Sequence, residues 1–235
     1  MRKTIAAIAF MSGILLSTTS WAATIIGGST LLNTTDANLL ESWLGEGPIA
    51  LTNIFTKQSG DDSVDFHTAV DGQGATFTII QLDNGNTIGG YNPISWQSAS
   101  YYNGSGDLSA FLFNLTSQLK LDQSQNIPYQ TYNRSNYGPT FGGGHDLYVD
   151  SALAGGYANI GHTYAAPPGT SYGSSDARNT FAGSYRDWTI TGLEVFSIAP
   201  MTPVPLPAGL PLLGSALLGL LAVFGWRGRR APNGL

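Results

Sequence analysis

Three glycines run into a His-Asp pair in FGGGHDLYVD, residues 141–150, and two further histidines, His67 and His162, stand elsewhere in the chain. Such a set admits three chemistries. A glycine-rich turn could cradle a phosphate, imidazole with carboxylate could hold a divalent metal, and His145 with Asp146 could act as general base and acid. Phosphate fails on context. A P-loop needs Lys and Ser/Thr after its last glycine and a helix N-terminus facing the anion, whereas here His-Asp and a stretch of period two follow. For a metal, His67, His145 and His162 would have to meet across the fold with Asp146 or Asp71, because no two of them stand at HxH or HxxxH spacing. Asp61, Asp62 and Asp65 offer oxygens to calcium without the spacing of an EF-hand loop.

For acid-base catalysis the candidates are His145, Asp146 and His162. Two carboxylates of a retaining glycosidase stand about 5 Å apart. Asp146 and Asp150, four residues apart on a strand, would be separated by about 13 Å. No GxSxG nucleophile elbow occurs. No catalytic residue, metal or cofactor is therefore assigned, and these residues stand as candidates only. The aromatic residues suggest binding instead. Tyr91, Trp96, Tyr101, Tyr102, Tyr129, Tyr132, Tyr137 and Tyr172 lie in segments rich in Asn, Gln and Ser. Aromatic faces bordered by amide and hydroxyl groups suit the flat surfaces of sugars, although some of these rings belong to a core, Trp96 first among them.

The elements that must position these residues are mostly strands. ANLLESWL places Leu39, Leu40, Trp43 and Leu44 on one helical face, with Thr35 or Asp36 as the cap, and IALTNIFTK and VDFHTAVD are two further helical candidates. From Gly74 the period becomes two. ATFTIIQL and NTIGGYNPISW flank an Asp83-Asn84-Gly85-Asn86 turn, a hairpin signal. LSAFLFNLTSQLKL, HDLYVDSA and ANIGHTYA are read as strands, residues 122–137 and APPGTSYGSSDARN as loops. SYRDWTITGLEVFSI closes the body as a long strand whose apolar phase shifts at Gly192, the mark of a bulge. The glycines before His145 are expected to allow φ > 0 and close backbone approach, with Leu147 and Val149 on one side and Tyr148 on the other.

The two ends differ from this body. Residues 1–22 have a basic start, Arg2-Lys3, an apolar stretch and small residues at Ser20 and Ala22, as in a secretory signal peptide. Residues 23–37 read as a lead-in and 38–198 as the domain. Residues 199–208 form a proline-rich linker, and 209–226 carry no charge over a length of about 27 Å as a helix, enough to cross a bilayer. Arg227, Arg229 and Arg230 in the tail 227–235 keep that end in the cytoplasm by the positive-inside rule. The body between the ends holds all fifteen acidic residues but only five of the ten basic ones, a formal charge of −10 against −5 for the whole chain. That charge excludes nucleic acid as a partner. With no cysteine, neither a disulfide nor a thiolate is available.

Val204-Pro205-Leu206-Pro207-Ala208, the apolar stretch and the arginines together resemble the PEP-CTERM sorting signal in its VPLPA variant. The resemblance implies a Gram-negative exporter, the export machinery and an exosortase as partners, and a setting of extracellular polysaccharide. The body resembles the TLD (TLDc) domain of the oxidation-resistance family. FHTAVDGQGATFTIIQ, GGYNPISW, SAFLFNLT, FGGGHDLYV, NIGHTYAAPPG and ARNTFAGSYRDWTITGLEVFSI carry that resemblance. It implies a two-sheet antiparallel sandwich flanked by helices and a protein-interaction role linked to oxidative-stress protection and, in eukaryotes, to the vacuolar proton pump. Val70 stands where many relatives have Cys, and an exported chain meets no cytosolic pump, so that partner is not carried over.

The fold expected is thus mainly β (α+β): a two-sheet antiparallel β-sandwich flanked by a few short helices, with one C-terminal transmembrane helix. The function expected is a non-catalytic interaction module of the envelope, with extracellular glycan or an envelope protein as partner. A hydrolase-like enzyme with a divergent site, or stress protection by analogy with the family, is the alternative.

Overall fold

The strands run β1 (Thr24–Ile26), β2 (Ile49–Thr56), β3 (Thr76–Leu82), β4 (Thr87–Asn92), β5 (Tyr101–Asn103), β6 (Phe111–Asn114), β7 (Leu119–Asp122), β8 (Thr131–Asn133), β9 (Thr140–Phe141), β10 (Leu147–Val149), β11 (Gly156–Ala158) and β12 (Ile190–Pro200). The helices are α1 (Thr34–Leu44), α2 (Ser63–Val70) and α3 (Ser175–Ala182). They come from a computed structural model that describes residues 22–99 and 101–201. A seven-stranded sheet has the order β1-β2-β12-β3-β4-β6-β7, and a five-stranded sheet the order β11-β10-β9-β8-β5. The pairings are antiparallel except that of β1 with β2.

The large sheet is apolar on both faces because both are covered. In β3, Ile80 and Leu82 turn toward the small sheet, where they pack with Phe141, Leu147, Val149 and Tyr164. Phe77 and Ile79, one residue out of phase, join Ala37 and Leu40 of α1 on the other side. Each such side chain contributes about 1.5–3 kcal/mol by leaving water. The expected Asp83–Asn86 turn joins β3 to β4, with Gly85 at φ +87°. On β4 two glycines let neighbours close in. A Cβ on Gly90 would lie 2.7 Å from the Phe141 ring, and one on Gly89 would lie 1.9 Å from the Thr78 carbonyl. Phe141, the first residue of FGGGHD, thus seats the small sheet on a notch in the large one.

The predicted bulge at Gly192 is present. β12 shifts register against β3 between Ile190 and Gly192, and the extra residue keeps Ile190 on the same inward face as Leu193 and Val195. VDFHTAVD forms α2 as expected, and Asp62 with Asp65 makes its capping box, so those carboxylates close a helix end. α1 is capped two to three residues earlier than expected: Asn33 accepts from Asp36 N–H, and Asp36 is the N3 partner.

Five local expectations are corrected. IALTNIFTK is strand β2, not helix, because Ile49 and Leu51 alternate toward α1 and a register shift beside Ile54 then turns Phe55 to the opposite core. LSAFLFNLTSQLKL is two strands: residues 115–118 reverse the chain, with Gln118 at φ +55°, and β7 pairs back on β6. Residues 122–137 are not merely a surface loop, since they contain β8 with Thr131 and Asn133 buried. ANIGHTYA contributes only Ala158 to β11, and residues 161–164 turn their backbone N–H groups toward a side chain described below. APPGTSYGSSDARN ends inside α3, which Ser174 caps by accepting from Ala177 N–H. Among the described residues no helix is long and apolar enough to cross a membrane. The expected signal peptide of residues 1–22, apart from Ala22, the expected membrane segment 209–226, and the expected sorting residues Val204–Ala208 and Arg227, Arg229 and Arg230 lie outside the described residues.

Candidate functional site: a tyrosine face on the small sheet

The turn between β9 and β10 sets His145 and Asp146 on opposite sides of the small sheet. Gly142 takes φ +87° and His145 takes φ +50°. His145 N–H donates back to the Gly142 carbonyl at 3.1 Å. A Cβ on Gly142 would sit 2.0 Å from Asp146 Oδ2, and one on Gly144 would sit 2.8 Å from the His162 ring. The glycines are therefore required by crowding as well as by φ. Beyond the turn, Leu147 and Val149 point into the core and Tyr148 outward, as the alternation predicts.

Asp146 is fully buried and acts as a backbone anchor. Its carboxylate accepts N–H bonds from Gly161 at 2.9 Å, His162 at 2.8 Å and Thr163 at 3.0 Å, with Tyr164 N–H longer at 3.4 Å. Burial pushes its carboxyl above the usual carboxylate range, and the N–H donors push it back. Every one of these partners is a donor. The NIGHTY segment is thus bent around one side chain instead of being paired in a sheet.

On the outer face, tyrosines from successive strands lie side by side. Tyr157 of β11 pairs in register with Tyr148 of β10, and Tyr102 of β5 with Tyr132 of β8. Ring centroids are 4.9 Å apart for Tyr148–Tyr157, 4.8 Å for Tyr102–Tyr132 and 4.6 Å for Tyr102–Tyr129. Tyr137 bridges Tyr132 and Tyr148, and Tyr185 extends the row beyond Tyr157 at 5.5 Å.

His145 lies at the centre of this row, 5.3 Å from Tyr132 and stacked at 17° on Tyr148. Its Nδ1 is 2.9 Å from the Tyr157 hydroxyl. Burial holds His145 below the ordinary imidazole value and pushes the Tyr157 phenol up to about 12. With ring and phenol both neutral, the contact is a neutral hydrogen bond whose direction follows the imidazole tautomer. Tyr102 O–H donates to the Gly143 carbonyl at 2.8 Å, tying the ring to the glycine turn. Three of the five basic residues of the body also stand at this face. Arg134 lies over Tyr137, and Arg178 and Arg186 both lie over Tyr185.

The other candidates lie apart from it. His67 of α2 faces Asp71 Oδ1 at 2.7 Å through Nδ1 and the Arg134 carbonyl at 3.0 Å through Nε2, so it clamps α2 to the 134–137 loop. His162 gives its backbone N–H to Asp146 and rests its ring on Tyr172, 5.4 Å away. Among the described residues no three His, Asp or Glu side chains are grouped so as to hold a metal ion. Of the aromatic residues singled out in the sequence, Tyr102, Tyr129, Tyr132 and Tyr137 belong to the face. Tyr91 and Trp96 are buried in the core, while Tyr101 and Tyr172 are exposed.

Sequence reasoning missed Tyr148, Tyr157 and Tyr185. The signal was present at Tyr148, an aromatic residue out of phase with buried Leu147 and Val149. It also missed Glu194, which is 1% exposed although it lies on the central strand β12. Glu194 accepts from the Ser29 hydroxyl and from Thr30 N–H and Oγ1, both at 2.8 Å, and so docks the lead-in. Gly27, Gly28, Asn53 and Thr56 complete a shallow polar cleft of about 290 Å³ there.

Comparison with curated proteins finds no match. Against models of protein families, residues 25–199 match the TLDc domain, a span that includes Glu194, the Asp146 anchor and the whole tyrosine face. The chain belongs to the TLDc-domain family.

Proposed function

We propose that this chain is a non-catalytic interaction module, exported and held at the envelope or surface of a Gram-negative bacterium, that binds extracellular glycan through its tyrosine face. The observation that carries the reading is the row of Tyr102, Tyr132, Tyr148 and Tyr157 around His145, each packed on its neighbours and half-buried on the outer face of the small sheet. Large rings with phenol hydroxyls at the rim offer flat apolar area to the C–H faces of sugars and hydrogen bonds to their hydroxyls. Tyrosine does so at small cost in side-chain entropy. The imidazoles and Asp146 are already bonded within the fold, which favours binding over turnover. The export half of the proposal rests on the ends of the chain. The basic start, the apolar stretch at 209–226, the VPLPA motif and the final arginines call for the export machinery, an exosortase and, before processing, the inner membrane as partners.

The test is binding of the full-length chain to soluble polysaccharides by calorimetry, with Tyr148→Ala and Tyr157→Ala as variants. Binding that falls at least tenfold in each variant, with the thermal midpoint kept, supports the reading. Failure of the unaltered protein to bind any polymer of the producing cell ends it. A second reading, protection against oxidative stress, is favoured by the family membership. It predicts peroxide sensitivity on deletion without loss of surface polymer.

A further inference from the structure

The tyrosine face is not electrically uniform. Near its centre, Asp150 and Arg134 act on Tyr148 with opposite signs. At the β11 end the balance is lost. The Tyr185 ring lies between two guanidinium groups, Arg178 at 4.0 Å and Arg186 at 4.5 Å from its centroid. Among the described residues neither arginine forms a salt bridge. The same is true of Lys57 and Arg134: among the described residues only Lys120 of the body's five cations is paired with a carboxylate, so the charge at this end of the face is uncompensated by contact.

Arg178 is also held in place. Arg178 Nη2 donates to Asn159 Oδ1 at 2.9 Å, and its Nε is buried without a partner. Tyr185 is tied to the sheet by its carbonyl, which accepts from Ala158 N–H at 2.9 Å. Its ring continues the aromatic row through Tyr157. A fixed guanidinium suits a planar oxyanion, to which it gives parallel N–H bonds, and stacking on an aromatic ring preorganises it.

We infer that the glycan bound at this face is acidic, its sugar rings lying along Tyr148, Tyr157 and Tyr185 and a uronate carboxylate held by Arg178 and Arg186. This rests on the glycan reading above and narrows it to one class of polymer. Local charge complementarity is the reason for choosing it: the net charge of −10 that repels nucleic acid repels this polymer too over most of the body, and only the two guanidinium groups at the β11 end attract it, so its contact is confined to them and the adjoining rings. A neutral glucan would leave both arginines unused.

The experiment uses the full-length chain with polygalacturonate, dextran and poly-glutamate, followed by calorimetry at two salt concentrations. Arg186→Gln is the leading variant because Arg186 is exposed and makes no bond within the fold. Arg178→Gln and Tyr157→Ala accompany it. The expected result is binding of polygalacturonate at least tenfold tighter than of dextran, weakened by salt, and lowered about tenfold by Arg186→Gln with an unchanged thermal midpoint. Tyr157→Ala should lower it as well. Equal binding of dextran and polygalacturonate, unaffected by either arginine variant, overturns the acidic class and leaves the glycan reading standing. Binding of neither polysaccharide overturns the acidic class, while the glycan reading itself is decided by the polymers of the producing cell. Poly-glutamate bound as tightly as polygalacturonate, with no effect of Tyr157→Ala, also overturns the inference, since charge alone would then account for the attraction.

Discussion

Removing the Asp146 carboxylate should unfold the NIGHTY segment before anything else. In Asp146→Ala the N–H groups of Gly161, His162 and Thr163, now bonded at 2.8–3.0 Å, face a buried space with no acceptor. Each stranded donor costs about 1–3 kcal/mol, and the costs do not simply add because the segment can relax as a unit. One term opposes this. Burial disfavours the charged carboxylate, as the upward displacement of its pKa shows, and the variant is relieved of that cost. Breaking a buried charged network by deleting one partner nonetheless leaves a net loss of about 3–5 kcal/mol. For a domain of this size that is a fall in Tm of roughly 6–20 °C. Asp146→Asn keeps one acceptor oxygen and should lose about half as much. Thermal and urea denaturation of the three proteins, followed by tyrosine and tryptophan fluorescence, measures the series. A loss under about 1 kcal/mol in Asp146→Ala would refute the reasoning, because the segment would then be held by something other than these bonds.

Three further outcomes follow from the same geometry. Gly142→Ala combines φ +87° with a Cβ 2.0 Å from Asp146 Oδ2, so it should destabilise by more than the roughly 1 kcal/mol of strain alone, and denaturant midpoints will show it. Glu194→Ala removes the acceptor for Ser29 and Thr30, at about 1.5–3 kcal/mol per charged hydrogen bond, and should release the lead-in, read as new proteolytic cleavage before Leu31. His145 has a folded pKa below its ordinary value near 6.5. The folded state therefore prefers the neutral ring. Its contribution is full above that value and is lost as pH falls below it toward the lower folded pKa. The stability difference between the unaltered protein and His145→Gln should shrink over that acid window, and a difference independent of pH would sink the assignment of a neutral His145.

Much of the architecture was legible because the large sheet obeys local rules. The Asp83–Asn86 turn, the phase shift at Gly192 and the alternation of Leu147, Tyr148 and Val149 each depend on a few consecutive residues. The misreadings share a cause. IALTNIFTK reads as helix because its apolar phase changes in mid-strand, a change made by pairing with β12 that a one-dimensional pattern cannot display. ANIGHTYA reads as strand because its residues favour one. The N–H groups of residues 161–164 turn instead to Asp146, a single side chain 15 or more positions away in the sequence.

The candidate site divides in the same way. The sequence by itself determined the residue types: a cysteine-free, acidic body rich in tyrosine, a glycine turn that only small residues can make, and family motifs that residues 25–199 bear out. Only the tertiary structure decided that His145 and Asp146, neighbours in the chain, serve opposite faces, one in a tyrosine row and one in the interior. The same holds for Tyr102, Tyr132, Tyr148 and Tyr157, which are scattered over 56 positions and form one surface because strand pairing aligns them. The physical reason is that a strand's alternation fixes which way a side chain points, whereas its neighbours across the sheet are set by register, and register is a property of the whole fold.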